Sequence, residues 1–261
     1  MISALYASKT GLAAQDKQLS TISNNLANTS TVGFKRDRAV FEDLLYQIQR
    51  QPGAKETQDS QLPSGLQLGT GSRVVATQKQ FTQGNLQVTE QPLDVAVNGR
   101  GFLQVLQADG TIAYTRNGQL QLNSDGQVVN SDGLVLEPAI TVPQNASKIT
   151  IGKDGSVNAY INGTVAPQQL GNISLADFVN PSGLQAIGGN LFTQTVASGD
   201  PQQGAPGENG MGSLLQGQLE SSNVDIVEEM VNMITTQRAY EMNSKVVSTA
   251  DQMLQYISQN L

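Results

Sequence analysis

The sequence predicts an α+β protein: a discontinuous coiled-coil helical domain built from both termini, an antiparallel all-β domain in the middle, and an extended connector. Three observations carry this. The chain holds 26 glycines and nine prolines, yet no proline precedes Pro52, and neither residue type occurs from Gln218 to Leu261. Apolar residues at both ends recur at helical spacing. Between the ends, Asn-Gly and Asp-Gly pairs separate short apolar or alternating runs, as antiparallel strands require.

At the N-terminus Leu5, Leu12, Leu19 and Leu26 form a strict seven-residue repeat, with Ile22 on the same seam. The other seam positions, Ser8 and Gln15, are polar, so the coiled-coil stripe is marginal. Gly11 inside it costs about 1 kcal/mol relative to alanine. A helix over Ile2 to Ala27 would be roughly 39 Å long. At the C-terminus the apolar positions are Val224, Val227, Val231, Ile234, Met242, Val246, Met253 and Ile257, mostly three or four apart. Ser222 followed by Asp225 resembles a capping box, and Glu228 and Glu229 suit the positive end of a helix dipole. The spacing predicts one helix from about Asn223 to Gln259. Each end offers one apolar stripe and little core of its own. The candidate assembly contact sets Leu5, Leu12, Leu19, Ile22 and Leu26 against Val227, Val231, Ile234, Met242, Val246, Met253 and Ile257. Both ends are expected to be poorly ordered in the lone chain and to order on assembly.

The middle carries turn pairs at Asn98-Gly99, Asp109-Gly110, Asn117-Gly118, Asp125-Gly126, Asp132-Gly133, Asp154-Gly155 and Asn162-Gly163. Strands are expected near Leu93–Val97, Phe102–Leu106, Ile112–Thr115, Leu120–Leu122, Leu134–Leu136, Ile149–Ile151 and Val157–Ile161, joined by hairpins with positive φ at the turn. The expected division is residues 1–36 and 222–261 as an inner helical domain, 37–97 and 198–221 as connector, and 98–197 as an outer β domain.

Composition removes several function classes. Net charge is −7, and Lys35, Arg36 and Arg38 form the one basic cluster, so nucleic acid is not an expected partner. With no cysteine and no histidine there is no thiol nucleophile, Ser-His-Asp triad or structural zinc site, and no cofactor or metal is expected. Apolar runs stay short of the ~18 residues that a membrane-spanning helix needs, so direct membrane insertion is not expected. The first residues lack the charged and apolar regions of a cleaved secretory signal, so any export would proceed without one. Asp94 and Arg116 invite a carboxylate-pair glycosidase reading, but nothing in the spacing singles out a pair, and an Asp beside a turn is usually a structural residue. The expectation is a protein that is not an enzyme.

Several segments resemble motifs of the flagellar rod and hook protein family. They are ANTSTVGFKR (27–36), QGNLQVT (83–89), QPLDVAVNGRGF (91–102), AYTRNGQL (113–120) and SSNVDIVEEMVNMITTQRAYEMNSKVVSTADQML (221–254). They run in order over almost the whole chain. The resemblance implies a subunit exported unfolded through the flagellar type III apparatus. It would polymerise into a helical tube across the periplasm and carry torque from motor to hook. Implied partners are further copies of itself, proximal rod and hook subunits, surrounding ring proteins and the export apparatus. FEDLLYQIQRQPGA (41–54) with LPSGLQLGTG (62–71) is similar to the rod branch, and the segment Tyr46 to Pro63 separates rod from hook. Its candidate residues are Tyr46, Arg50, Gln51, Pro52, Gly53 and Pro63. The implied place is the distal rod. A hook or proximal-rod subunit is the alternative within the family, and a secreted β-rich adhesin is the alternative outside it.

Overall fold

The computed structural model describes residues 2–52, 64–161 and 166–259. It divides into two compact units. A helical unit gathers residues 1–27, 37–78 and 225–261, and a β unit gathers 28–36 and 79–224. The residues expected as connector therefore fall into both: 37–78 with the helices, 79–97 and 198–221 with the strands.

In the helical unit, α1 spans Ile2–Ala27 and α2 spans Ile226–Gln259. The cap of α2 is Asp225 rather than Ser222, which moves the helix start from the expected Asn223. The Asp225 Oδ1 accepts from the backbone N–H of Val227 at 2.8 Å and of Glu228 at 3.2 Å. The Ser222 hydroxyl instead accepts from Val224 N at 3.3 Å, closing a turn before the helix. Glu228 and Glu229 occupy the first turn of α2, where the helix dipole favours negative charge.

The two helices run antiparallel. Asn25 Nδ2 donates to Glu229 Oε1 at 3.2 Å near one end of α1. A Cβ on Gly11 would lie 3.3 Å from Asn243 Nδ2, and Ala4 shares an apolar pocket with Ala250. As the α1 number falls, the α2 number rises by the same step. Strand Asp37–Asp43 pairs with Ser72–Lys79, and strand Tyr46–Arg50 pairs with Leu66–Gly69. Asn25 fixes the turn out of α1 by donating to Asp37 O and accepting from Asp37 N, each at 2.9 Å.

In the β unit the largest sheet is antiparallel throughout and centres on Phe102–Leu106. That strand pairs with Ile112–Thr115, Val135–Glu137 and Leu175–Asp177. Both its faces are buried. One face joins a core of Val95, Val97, Leu103, Val105, Leu136 and Leu175. The other joins an aromatic cluster in which Phe102 meets Phe81 and Phe178 edge-on at 5.3 and 5.9 Å. The observed strands follow the expected runs to within a few residues.

The hairpin turns differ from expectation. Residues 107–111, 123–127, 130–134 and 152–156 form one repeated loop. In each, the first residue's N–H donates to the fifth residue's carbonyl, and the glycine N–H donates to the first residue's carbonyl. Only the glycine takes positive φ, between 77° and 85°, while the preceding Asp stays at negative φ. These are type I turns closed by a left-handed glycine, not two-residue turns, because Asp avoids the left-handed region when glycine alone can supply it. The Asn162-Gly163 pair lies outside the described residues.

Candidate assembly surfaces

The seam of the helical pair is about half polar, and large apolar side chains remain outside it. Along α1 the positions 8, 11, 15, 18, 22 and 25 face α2: Ser8, Gly11, Gln15, Gln18, Ile22 and Asn25. Along α2 the sheltered positions are Glu229, Asn232, Met233, Thr236, Ala239, Asn243, Val247 and Ala250. Among the described side chains of α1, Ile22 is the one large apolar residue that is fully buried. The Gln15 and Gln18 side-chain oxygens are buried without a hydrogen-bond partner. Leu5, Leu12, Leu19 and Leu26 flank this seam half-buried.

The apolar stripe of α2 lies outside this seam, and its members Met242, Val246 and Met253 border it beside Ala4 of α1. Val227, Val231, Ile234, Met242, Val246 and Met253 are between 46% and 71% exposed. Within one chain the structure does not bring them against the α1 leucines. The Ile257 side chain lies outside the described residues. An apolar pocket lined by Ala4, Met242, Val246, Ala250 and Met253 opens between the helices, with a volume of about 530 Å³.

The hairpin of Tyr46–Arg50 with Leu66–Gly69 is also unburied. Every residue of Tyr46–Arg50 and of Leu66–Gly69 is exposed, including Tyr46, Ile48, Leu66 and Leu68. An isolated two-stranded hairpin is marginal in water. Tyr46 pairs with Gly69 in register, and its ring would meet a Cβ there at 3.4 Å. Arg50 pairs with Leu66. Gln51 is exposed, and Pro52 sits against Gly65, where a Cβ would come within 2.6 Å of its Cδ. Gly53 and Pro63 lie outside the described residues.

Arg116, tempting as a catalytic residue, belongs to a buried charge triad. Glu220 Oε1 accepts from Lys35 Nζ at 2.5 Å and from the backbone N–H of Gly84 at 2.8 Å. Glu220 Oε2 accepts from Arg116 Nη1 at 3.3 Å. Lys35 also donates to Thr82 O at 2.8 Å, and Arg116 Nη2 to Gly99 O at 2.7 Å. All three side chains are at most 4% exposed. Burial pushes the Lys35 amine below its ordinary value, with the Glu220 charge opposing, and the same balance lowers Arg116. Both Nη groups are taken by fold groups, the Nε is buried without a partner among the described residues, and the guanidinium is not presented to a substrate.

Gly33 completes the site. Its φ is +70°, its N–H donates to Glu220 O at 2.8 Å, and a Cβ would lie 2.7 Å from Asn117 N. Only glycine suits both the conformation and the approach. Asn223 ties the same strands: its Oδ1 accepts from Arg36 N, and its Nδ2 donates to Gln80 O, each at 2.8 Å. The sequence carried no signal for the triad beyond the sparsity of charge, at 14% of the chain. Spacing alone did not connect them.

Three family models match the chain: a flagella basal body rod protein model over residues 5–35, a flagellar hook protein FlgE/F/G D1 domain model over 96–159, and a flagellar basal body rod FlgEFG protein C-terminal model over 215–260. The flagellar basal-body rod protein FlgG of Buchnera aphidicola (from Schizaphis graminum) is 54% identical, covering 99% of this chain and 100% of that protein. FlgG of Caulobacter vibrioides is 49% identical, with 98% of each chain covered. FlgG of Bacillus subtilis is 36% identical over 98% of this chain and 97% of its own length. The chain belongs to the flagellar basal-body rod protein family. Each rod-family segment supplies one member of the triad: Lys35 from the first, Arg116 from the second and Glu220 from the third. The first and third also carry α1 and α2, so the segments that define this rod protein family hold both the helical pair and the charges that close the β unit.

Proposed function

We infer that this chain is a structural subunit of the flagellar basal-body rod, in its distal part, and not an enzyme. It polymerises into a rigid helical tube that crosses the periplasm and transmits torque from motor to hook. Its partners are further copies of itself, proximal rod and hook subunits, the surrounding rings and the export apparatus that delivers it. The hook-type D1 segment is shared within the family, but full-length coverage by FlgG relatives favours the rod over the hook.

The observation that carries the polymer is the outward stripe of α2. Six apolar side chains outside its seam with α1, each 46% or more exposed, await another copy. Covering them is worth on the order of 5 kcal/mol per subunit. An open filament needs one patch to meet a different patch on the next subunit, and the α1 leucine edge differs from the α2 stripe as required. In this reading the helices form a coiled-coil inner layer only between copies, and helicity rises on assembly. The exposed hairpin at Tyr46, Arg50, Gln51 and Pro52, continued through Gly53 to Pro63, bridges neighbouring subunits and stiffens the tube.

Cells lacking their own rod subunit, supplied with an epitope-tagged copy of this chain, test the reading. Label along the rod between the motor and hook in electron micrographs of purified basal bodies is expected. Label confined to the hook, or absent from basal bodies with normal rods, overturns it. No helix among the described residues is long and apolar enough to cross a membrane.

A further inference from the structure

The charge triad does something that a packed core does not require. Lys35 and Glu220 are 185 residues apart in sequence, and Arg116 and Glu220 are 104 apart. Two cations face one carboxylate in a place from which water is excluded. Asp177 adds a weaker pull on Arg116 and is itself paired with Arg100 at 3.0 Å. Without Glu220, the remaining fold would bury Lys35 and Arg116 beside each other with no paired anion, which is a strongly unfavourable arrangement. Glu220 arrives on the last strand of the β unit, Gln218–Glu220, whose Leu219 is buried. The same segment takes up Gly33 N, Gly84 N, Arg36 N and Gln80 O.

We propose that Glu220 is a closure checkpoint: the β unit stays open until the segment around residue 220 arrives, because its carboxylate neutralises the two cations that the fold must bury. A chain that emerges in order from its N-terminus, as an exported subunit does, is thereby kept from closing on an incomplete sequence. That use rests on the exported rod subunit above; the measurement below is made on the isolated chain and stands or falls separately.

The test compares Glu220→Gln, Leu219→Ala and each combined with Lys35→Met in the full-length monomer. Hydrogen exchange is read at strands Phe102–Leu106 and Ile112–Thr115 by mass spectrometry. Glu220→Gln raises the opening constant of these strands at least about 100-fold. Adding Lys35→Met to Glu220→Gln recovers about 10-fold or more, because one of the two stranded cations is gone; adding it to Leu219→Ala recovers nothing. If Glu220→Gln does not fold, the double variant still decides. An effect of Glu220→Gln below about 10-fold, or no recovery in the double variant, overturns the proposal. A second arm arrests the full chain on the ribosome with a stalling tail. Protease resistance of the β unit appears when residue 224 clears the tunnel in the parent chain but not in Glu220→Gln; resistance before residue 220 clears overturns it.

Discussion

The helical pair and the β unit solve burial in opposite ways. The β unit turns Phe102, Leu103, Val105 and Leu136 inward and closes with one neutralising carboxylate. The helical pair turns Asn25, Gln15, Gln18 and Glu229 inward and leaves Val227, Val231, Ile234 and Met242 outside. The polar seam sets the register of α1 on α2, since Asn25 must meet Glu229. It supplies little stability, because a net hydrogen bond contributes only about 1 kcal/mol. One unit buries its own large apolar side chains, and the other leaves most of those on α2 exposed.

The sharpest way to break this contrast is a core truncation in the β unit. Phe102→Ala removes a side chain that meets Phe81, Phe178 and Phe192 edge-on. Urea unfolding of the monomer should show a loss of about 3–5 kcal/mol. The converse substitution is Ile234→Asp on α2. It should leave the monomer's urea midpoint within about 0.5 kcal/mol, yet abolish rods in electron micrographs, since a charge would be buried at each copy-to-copy contact. Normal rods from Ile234→Asp would place the stripe outside the polymer interface. Leu19→Ala, on the half-buried edge of α1, should also keep the β unit folded and yield no rods.

The legible part of the fold was the part set by local rules. The Leu5 to Leu26 heptads and the absence of proline specified α1, and the alternating runs specified Phe102–Leu106 and Ile112–Thr115. Turn chemistry was legible as glycine but not as loop type, because an Asp-Gly pair suits both a two-residue turn and the longer type I loop. Which face of α2 meets α1 was not legible. Hydrophobic spacing points at the larger apolar stripe, whereas the chain spends that stripe on its exterior and packs Asn232, Thr236 and Asn243 inward. The triad was invisible because Lys35 and Arg116 lie 185 and 104 residues from Glu220 and no periodicity links them.

Smaller effects sharpen the comparison further. Asp225→Ala removes the cap on Val227 and Glu228 and should cost about 1 kcal/mol of α2 stability, seen as lower monomer helicity by circular dichroism. The β-unit midpoint should not move with it. The smallest effect belongs to Arg73→Ala. Arg73 pairs with Glu42 at 3.3 Å across the strands Asp37–Asp43 and Ser72–Lys79, with both side chains more than half exposed. A solvated pair of that kind contributes about 0.5 kcal/mol or less, so the variant should unfold like the parent at high salt and differ barely at low salt. If the α2 stripe alone meets the next copy, as proposed, the surface charges of the helical unit should matter to neither stability nor rods. A clear fall in rod number for Arg73→Ala would mean that this strand pair, and not only the α2 stripe, meets the next subunit.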